Sequence, residues 1–164
     1  MAFQDELNPL PLSLLKHPSV KLQLQEGLQI VTEKIRVAPL PCSAEQKGPR
    51  RIIEPRGELA VLHPSGAVYN PAYFDISPGQ GNIRGRHYHK SKAEIFYVIA
   101  GSCRLTHLDL ETREKGSLEV RKGDMVTIMP RCAHQIEALE FCQVIEFSIQ
   151  DVGYSEDTVS YEVE

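Results

Sequence analysis

The run Gly81-Asn82-Ile83-Arg84-Gly85-Arg86-His87-Tyr88-His89-Lys90-Ser91-Lys92-Ala93-Glu94-Ile95-Phe96-Tyr97-Val98-Ile99-Ala100-Gly101 carries two histidines one residue apart and, after a polar interval, a glutamate inside an apolar stretch. Side chains on a strand alternate between its faces, so His87 and His89 share one face if this segment is extended. Glu94 stands an odd number of residues from His89 and would face the other way on one uninterrupted strand. The polar Lys90-Ser91-Lys92 reads as a turn, which resets the register and lets Glu94 swing back to the histidines. Two imidazoles and a carboxylate converging on a point suit zinc, iron, nickel or manganese rather than the all-oxygen cages of calcium and magnesium.

A third imidazole stands in an ordered context downstream. Gly123-Asp124-Met125-Val126-Thr127-Ile128-Met129-Pro130-Arg131-Cys132-Ala133-His134 reads as a turn, an apolar strand, a proline-led turn and then a histidine. Together the two blocks resemble the paired motifs of the cupin superfamily. The first pattern (Gly, five residues, His, one, His, four, Glu, six, Gly) is met by Gly81, His87, His89, Glu94 and Gly101. In the second the family has Pro-x-Gly-x-x-His; this chain has Pro130-Arg131-Cys132-Ala133-His134, with Cys132 where the glycine stands, one residue fewer before the histidine, and no Asn at the usual spacing after His134. Glycine often serves at such a turn for its tolerance of positive φ, so the replacement bears on turn geometry. The resemblance spans roughly residues 55–150. It implies an all-β, antiparallel double-stranded β-helix (a jelly-roll barrel) in which His87, His89, Glu94 and His134 hold one divalent transition metal, Zn, Ni, Mn or Fe.

Composition bounds the rest. At 164 residues with 41% apolar content, the chain can bury the core of one domain. A net charge of −4 with both signs scattered gives no footprint for nucleic acid. No apolar run reaches membrane-spanning length, and Met1-Ala2-Phe3-Gln4-Asp5-Glu6 lacks the layout of a signal peptide, so we expect a cytoplasmic protein with neither a membrane nor a nucleic-acid partner. The cysteines at 42, 103, 132 and 142 are expected reduced in that compartment, three of them as small apolar residues, with Cys132 placed to line the site or merely its turn.

Along the chain, prolines at 9, 11 and 18 exclude a long N-terminal helix, leaving at most one helical turn over Leu12 to Lys16. Leu22, Leu24, Leu28 and Ile30 alternate around Glu26-Gly27 like a hairpin. We therefore expect an irregular or β N-terminal extension over 1–50, a barrel over 51–152, and an acidic tail or extra strand over 153–164. From Arg51 short apolar runs alternate with turn signals at Gly66, Pro78-Gly79, Gly101, Glu114-Lys115-Gly116 and Lys122-Gly123-Asp124, the spacing of an antiparallel sandwich or barrel. If Glu94 points inward, Phe96, Val98 and Ala100 follow it, and Ile95, Tyr97 and Ile99 form an outward apolar stripe that needs cover from residues 1–50 or from a second subunit. A homodimer is expected on that ground.

A shorter likeness bears on function. Arg84-Gly85-Arg86-His87-Tyr88-His89-Lys90 is similar to segments of cupin-type sugar-nucleotide 3,4-ketoisomerases and WxcM-like proteins, and to the metal-containing cupin domain of capsular polysaccharide assembly proteins. That likeness implies isomerisation or epimerisation of a small polar metabolite, a sugar or sugar nucleotide. An imidazole bound to a metal has spent the lone pair a general base needs, so His87 and His89 are either ligands or proton carriers, and Glu94 with His134 favours ligands. The acid or base then lies elsewhere, with Tyr69, Tyr73 and Asp75 as candidates. Arg84, Arg86 and Lys90 are candidates for a substrate phosphate or carboxylate. Tyr88 should face away from the histidines, and His17, His63 and His107 receive no role. Two other readings use the same ligands: an iron-dependent dioxygenase, and a binding cupin without turnover.

Overall fold

The computed structural model describes residues 29–43, 48–63 and 67–164, and short apolar runs between turns become strands throughout. In chain order these are β1 (Gln29–Ile30), β2 (Ile35–Pro39), β3 (Arg50–Glu54), β4 (Gly57–Val61), β5 (Tyr69–Ile76), β6 (Ile83–His89) and β7 (Glu94–Ala100). There follow β8 (Ser102–Asp109), β9 (Lys115–Arg121), β10 (Asp124–Ile128), β11 (Cys132–Ala138), β12 (Cys142–Ser148), a single helical turn α1 (Tyr154–Asp157) and β13 (Thr158–Ser160). The expected helical turn at 12–16, the turn at Gly66 and the tip of the hairpin at Glu26-Gly27 lie outside the described residues. Within them, β1 and β2 form a separate hairpin that turns at Val31 to Lys34, where the Thr32 hydroxyl accepts from the backbone N–H groups of Lys34 and Ile35.

Two antiparallel sheets make the body. One runs β1-β2-β10-β7-β12-β5 and the other β13-β6-β11-β8-β9, while β3 and β4 pair only with each other. The larger sheet thus reaches back before residue 51 to recruit β2. Ile35, Val37, Val126, Ile128, Phe96, Val98, Cys142 and Val144 from one sheet meet Cys103, Leu105, Val120, Cys132 and Ile136 from the other in one apolar cluster. These residues alternate with outward ones along each strand, the period-two signature of a face-to-face sandwich.

Facing along β7 follows the expected parity as far as Val98. Ala100 departs from it: Val98 pairs with Val144 but Ala100 with Gln143, so a bulge puts Ala100 in register with an outward residue. The outward Tyr97 is covered within the chain, its hydroxyl donating to Glu58 on β4 at 2.7 Å. Between β8 and β9 the chain turns at Leu110 to Arg113, and Lys115 and Gly116, expected in the turn, are strand. Asp109 explains the shift, since its carboxylate accepts from Glu111 N and Thr112 Oγ1 and closes the turn early. The acidic tail is no solvated end: β13 pairs with β6, and Val163 is buried against Leu108 and Ala133 on the outer face.

The turn before His134 shows how the missing glycine is accommodated. Positive φ falls on Arg131 (61°), and Cys132 is already the first residue of β11. Gly101, by contrast, has φ 75° and its backbone lies so close to Phe141 O that a Cβ would collide with it.

Candidate metal centre

Cross-strand register brings the motif residues together. On the inner face of the five-stranded sheet His134 of β11 pairs with His87 of β6, and a bulge beside Gly85 and Arg86 (φ 83° and 56°) lets the strand stay paired on both sides of it. His89 follows His87 by two residues and keeps its face. Glu94 opens β7 in the opposite sheet, after the bend at Lys90 to Ala93 that the polar sequence predicts. Its Oε2 lies 3.9 Å from His87 Nε2, 3.4 Å from His89 Nε2 and 2.9 Å from His134 Nε2. Ligand atoms of His87, His89 and Glu94 all fall within 4.8 Å of one another.

Each ring is held from behind. His87 Nδ1 lies 3.1 Å from Gly85 O, and His134 Nδ1 lies 3.1 Å from Cys132 O, so the Nδ1–H of each donates to a carbonyl and the Nε2 lone pair faces inward. His89 Nδ1 lies 3.3 Å from Thr158 Oγ1 and 3.7 Å from Asp157 Oδ2. His87 Nε2 and Glu94 Oε2 are buried without a hydrogen bond of good geometry. Donors about 2 Å from a common ion stand about 3–4 Å apart, so His87, His89 and Glu94 suit a small transition metal, with His134 joined to them at Glu94 Oε2. Burial holds His87 down to about 4, helped by neighbouring His134. Burial works to raise Glu94, but His134 and His89 hold it well below the usual carboxylate range. His134 is displaced upward by Glu94 against the effect of its own burial.

A model of the polysaccharide biosynthesis C-terminal domain matches residues 55–158, which include all four of these residues. The chain belongs to that family. No curated protein matches it. Among solved structures, this family member is similar to the QdtA sugar 3,4-ketoisomerase of Thermoanaerobacterium thermosaccharolyticum in complex with TDP (13% identity, 77% of this chain and 88% of that chain, TM-score 0.60). It is similar also to the dTDP-4-dehydrorhamnose 3,5-epimerase of Sulfolobus tokodaii (17%, 81% and 80%, 0.60) and to WlaRA, the TDP-fucose-3,4-ketoisomerase of Campylobacter jejuni (14%, 76% and 87%, 0.59). At such identities the likeness is one of fold, and it establishes the cupin jelly roll of the RmlC type.

The remaining candidates of this polysaccharide biosynthesis domain are not gathered at the histidines. Tyr73 and Asp75 pair with Ile145 and Gln143, one register step from the inward pair Phe74 and Val144, so both point away from the site. Tyr73 is exposed and its hydroxyl accepts from Gln143 Nε2 at 2.7 Å. A bulge brings Tyr69 opposite the buried Ser148, and it alone of the three shares the inner side. Arg84 lies at the start of β6, the opposite end from His89, over the Phe74 ring and donating to Asp75 O. Arg86 faces Glu162 at 3.4 Å, and Lys90 donates to Glu156 O at 2.8 Å. Tyr88 does face away, against Tyr161. Cys132 is buried in the core, its thiol pushed up to about 12 by burial, and it serves His134 through its carbonyl. Cys42 is exposed, unlike the apolar residue expected there.

Several residues at the centre carry no motif signal. Asn70, Lys92, Glu146, Phe147 and Ser148 line a depression that opens on Glu94. Burial pushes Glu146 up to about 8, and the adjacent Glu94 pushes it the same way. It shares the inward phase of Val144 and Ser148, both buried two residues to either side. Asp157 is 3% exposed, and its carboxyl is held below the usual range by Ser91 and Lys92 against the effect of burial. His107, given no role from the sequence, is 1% exposed with neither ring nitrogen hydrogen-bonded among the described residues. It stands opposite His134 on β8, and its ring lies over Gly116 of β9.

Proposed function

We propose that this domain is a metal-dependent cupin that isomerises or epimerises a sugar nucleotide at a carbon beside a carbonyl. The observation that carries the reading is the convergence of three imidazole Nε2 atoms on Glu94 Oε2, with each ring fixed at Nδ1 by a group behind it. The family and the fold shared with sugar-nucleotide ketoisomerases and epimerases support the substrate class. His87, His89, Glu94 and His134 would hold one divalent transition ion, zinc, nickel, manganese or iron, which supplies a Lewis acid that polarises a carbonyl oxygen and acidifies the neighbouring C–H.

The chain's own residues divide the remaining work. With their lone pairs committed, His87 and His89 are not the proton carriers, so that role passes to groups on the depression. Glu146 lines it beside Glu94, and Tyr69 is paired with Ser148 of the same lining, which supports assigning these two the task of holding a proton near the substrate. Asn70 and Lys92 add polar groups for sugar hydroxyls, and Phe147 supplies an apolar wall. Arg84 at the far end of β6 is the cation we assign to the nucleotide diphosphate.

The test is solvent exchange. A nucleoside-diphosphate 4-keto-6-deoxy sugar incubated with the metal-loaded protein in D2O should take up deuterium beside the carbonyl, and His89→Ala should abolish uptake. Absence of exchange across the common 4-keto sugar nucleotides would sink the isomerase reading. Oxygen uptake with bound iron would replace it by the dioxygenase, and tight binding of an unchanged ligand by the binding cupin.

A further inference from the structure

The bend between His89 and Glu94 is held by a carboxylate sixty-six residues away along the chain. Asp157 Oδ1 accepts from Ser91 N at 2.9 Å and from Ser91 Oγ at 2.6 Å, and Oδ2 accepts from Lys92 N at 3.2 Å. That second oxygen is the one 3.7 Å from His89 Nδ1. Around it, Lys90 N donates to Asp157 O at 3.0 Å, and β13 lies beside β6 with Thr158 opposite His89 and Ser160 opposite His87.

We propose that Asp157 is a positioning residue for the metal centre, one carboxylate that fixes both the ring of His89 and the turn that returns Glu94 to it. The inference rests on the reading of the site as a metal centre. Two separations in the sequence make such a device necessary. His87 and His89 share a face by strand parity alone, whereas Glu94 reaches them only if residues 90–93 adopt one particular bend. Ser91 and Lys92 at its centre both donate to Asp157, while Ala93 N at its end donates to Gln150 Oε1. The same group selects the tautomer of His89. With the proton on Nδ1, an N–H points toward Thr158 Oγ1 and the carboxylate; with it on Nε2, a lone pair faces a carboxylate oxygen and the inward nitrogen is lost to a metal. Asp157 therefore acts on the site twice without touching the ion or a substrate.

Asp157→Asn keeps the size and one acceptor but removes the charge, and its amide places donors against Lys92 N or His89 Nδ1. Nitrogen-15 NMR of the imidazoles in metal-free protein should show His89 with the proton on Nδ1 in the wild type and a shift toward the Nε2–H form in Asp157→Asn. Zinc affinity, measured by competition with a chelator, should fall about 10–100-fold, and Thr158→Val should move both readouts the same way by less. An Nε2–H His89 in the wild type, or a tautomer and affinity unchanged within about twofold in Asp157→Asn, overturns the proposal. A wild type that takes up no metal overturns the metal-centre reading instead, and the tautomer shift still decides what Asp157 does.

Discussion

His134 shows how one side chain can be legible in the sequence while what makes it useful is not. Its place after a proline-led turn marks it, but the inward aim of Nε2 comes from Cys132 O behind it, and nothing in residue type announces a carbonyl. Replacing His134 removes the closest partner of Glu94 and leaves that carboxylate buried beside two imidazoles that stand farther from it. His134→Ala should therefore lose stoichiometric metal, from about one ion per chain to a small fraction by elemental analysis, while far-ultraviolet circular dichroism stays all-β. Glu146→Gln makes the complementary prediction: metal retained, deuterium exchange lost by about 100-fold or more, since Glu146 lines the depression without being one of the four ligands. Glu146 escaped the sequence reading because one acid in the apolar run Val144 to Phe147 looks like an outward residue until strand phase is known. Tyr73 and Asp75 failed for the same reason in reverse, being on the right strand but the wrong face.

At the scale of elements, the strands from β5 to β12 were readable because glycines and prolines punctuate them and apolar residues alternate between. Where the Asp109 side chain closes a turn the sequence placed the boundary wrongly, and although it marked the bend at Lys90 to Ala93 it gave no hint that Asp157 holds it. Gly101 belongs to the readable kind, and its demand is severe. A Cβ there adds about 1–2 kcal/mol for the left-handed backbone to a collision with Phe141 O. Gly101→Ala should cost on the order of 3 kcal/mol or more in urea unfolding. The β3–β4 hairpin depends on the second kind of contact, with Arg51 donating to both oxygens of Glu58 at 2.8 and 2.9 Å and Tyr97 adding a third donor. Arg51 above all holds Glu58 down to about 2. Its lowered folded pKa means that this contribution is complete above the ordinary carboxylate range and is lost as pH falls from about 4.5 toward 2. Glu58→Gln should lower the melting temperature at pH 7 by a few degrees and match the wild type near pH 2.

Over the whole molecule, pH acts through groups the motifs did not single out. His107 is buried in the same cross-strand row as His87 and His134, yet it has no hydrogen-bonding partner among the described residues. Burial keeps its pKa below the ordinary value, and the charges of Glu114 and Asp109 offset this only in part. As pH falls below about 6.5 the unfolded chain takes up a proton at this position before the folded one does, so stability declines toward the folded pKa. His87, held to about 4, adds a loss of the same sign in metal-free protein, whereas His134, displaced upward, opposes it. The difference between wild type and His107→Leu isolates the one term, because the ligands are common to both. An imidazole with two unmade hydrogen bonds contributes little that an apolar side chain of similar size would not, so His107→Leu should be neutral or stabilising by up to about 1 kcal/mol at pH 7. That margin should widen as pH falls from about 6.5 toward 5 in urea titrations of the metal-free protein. A margin constant with pH would mean that His107 titrates alike in the folded and unfolded states.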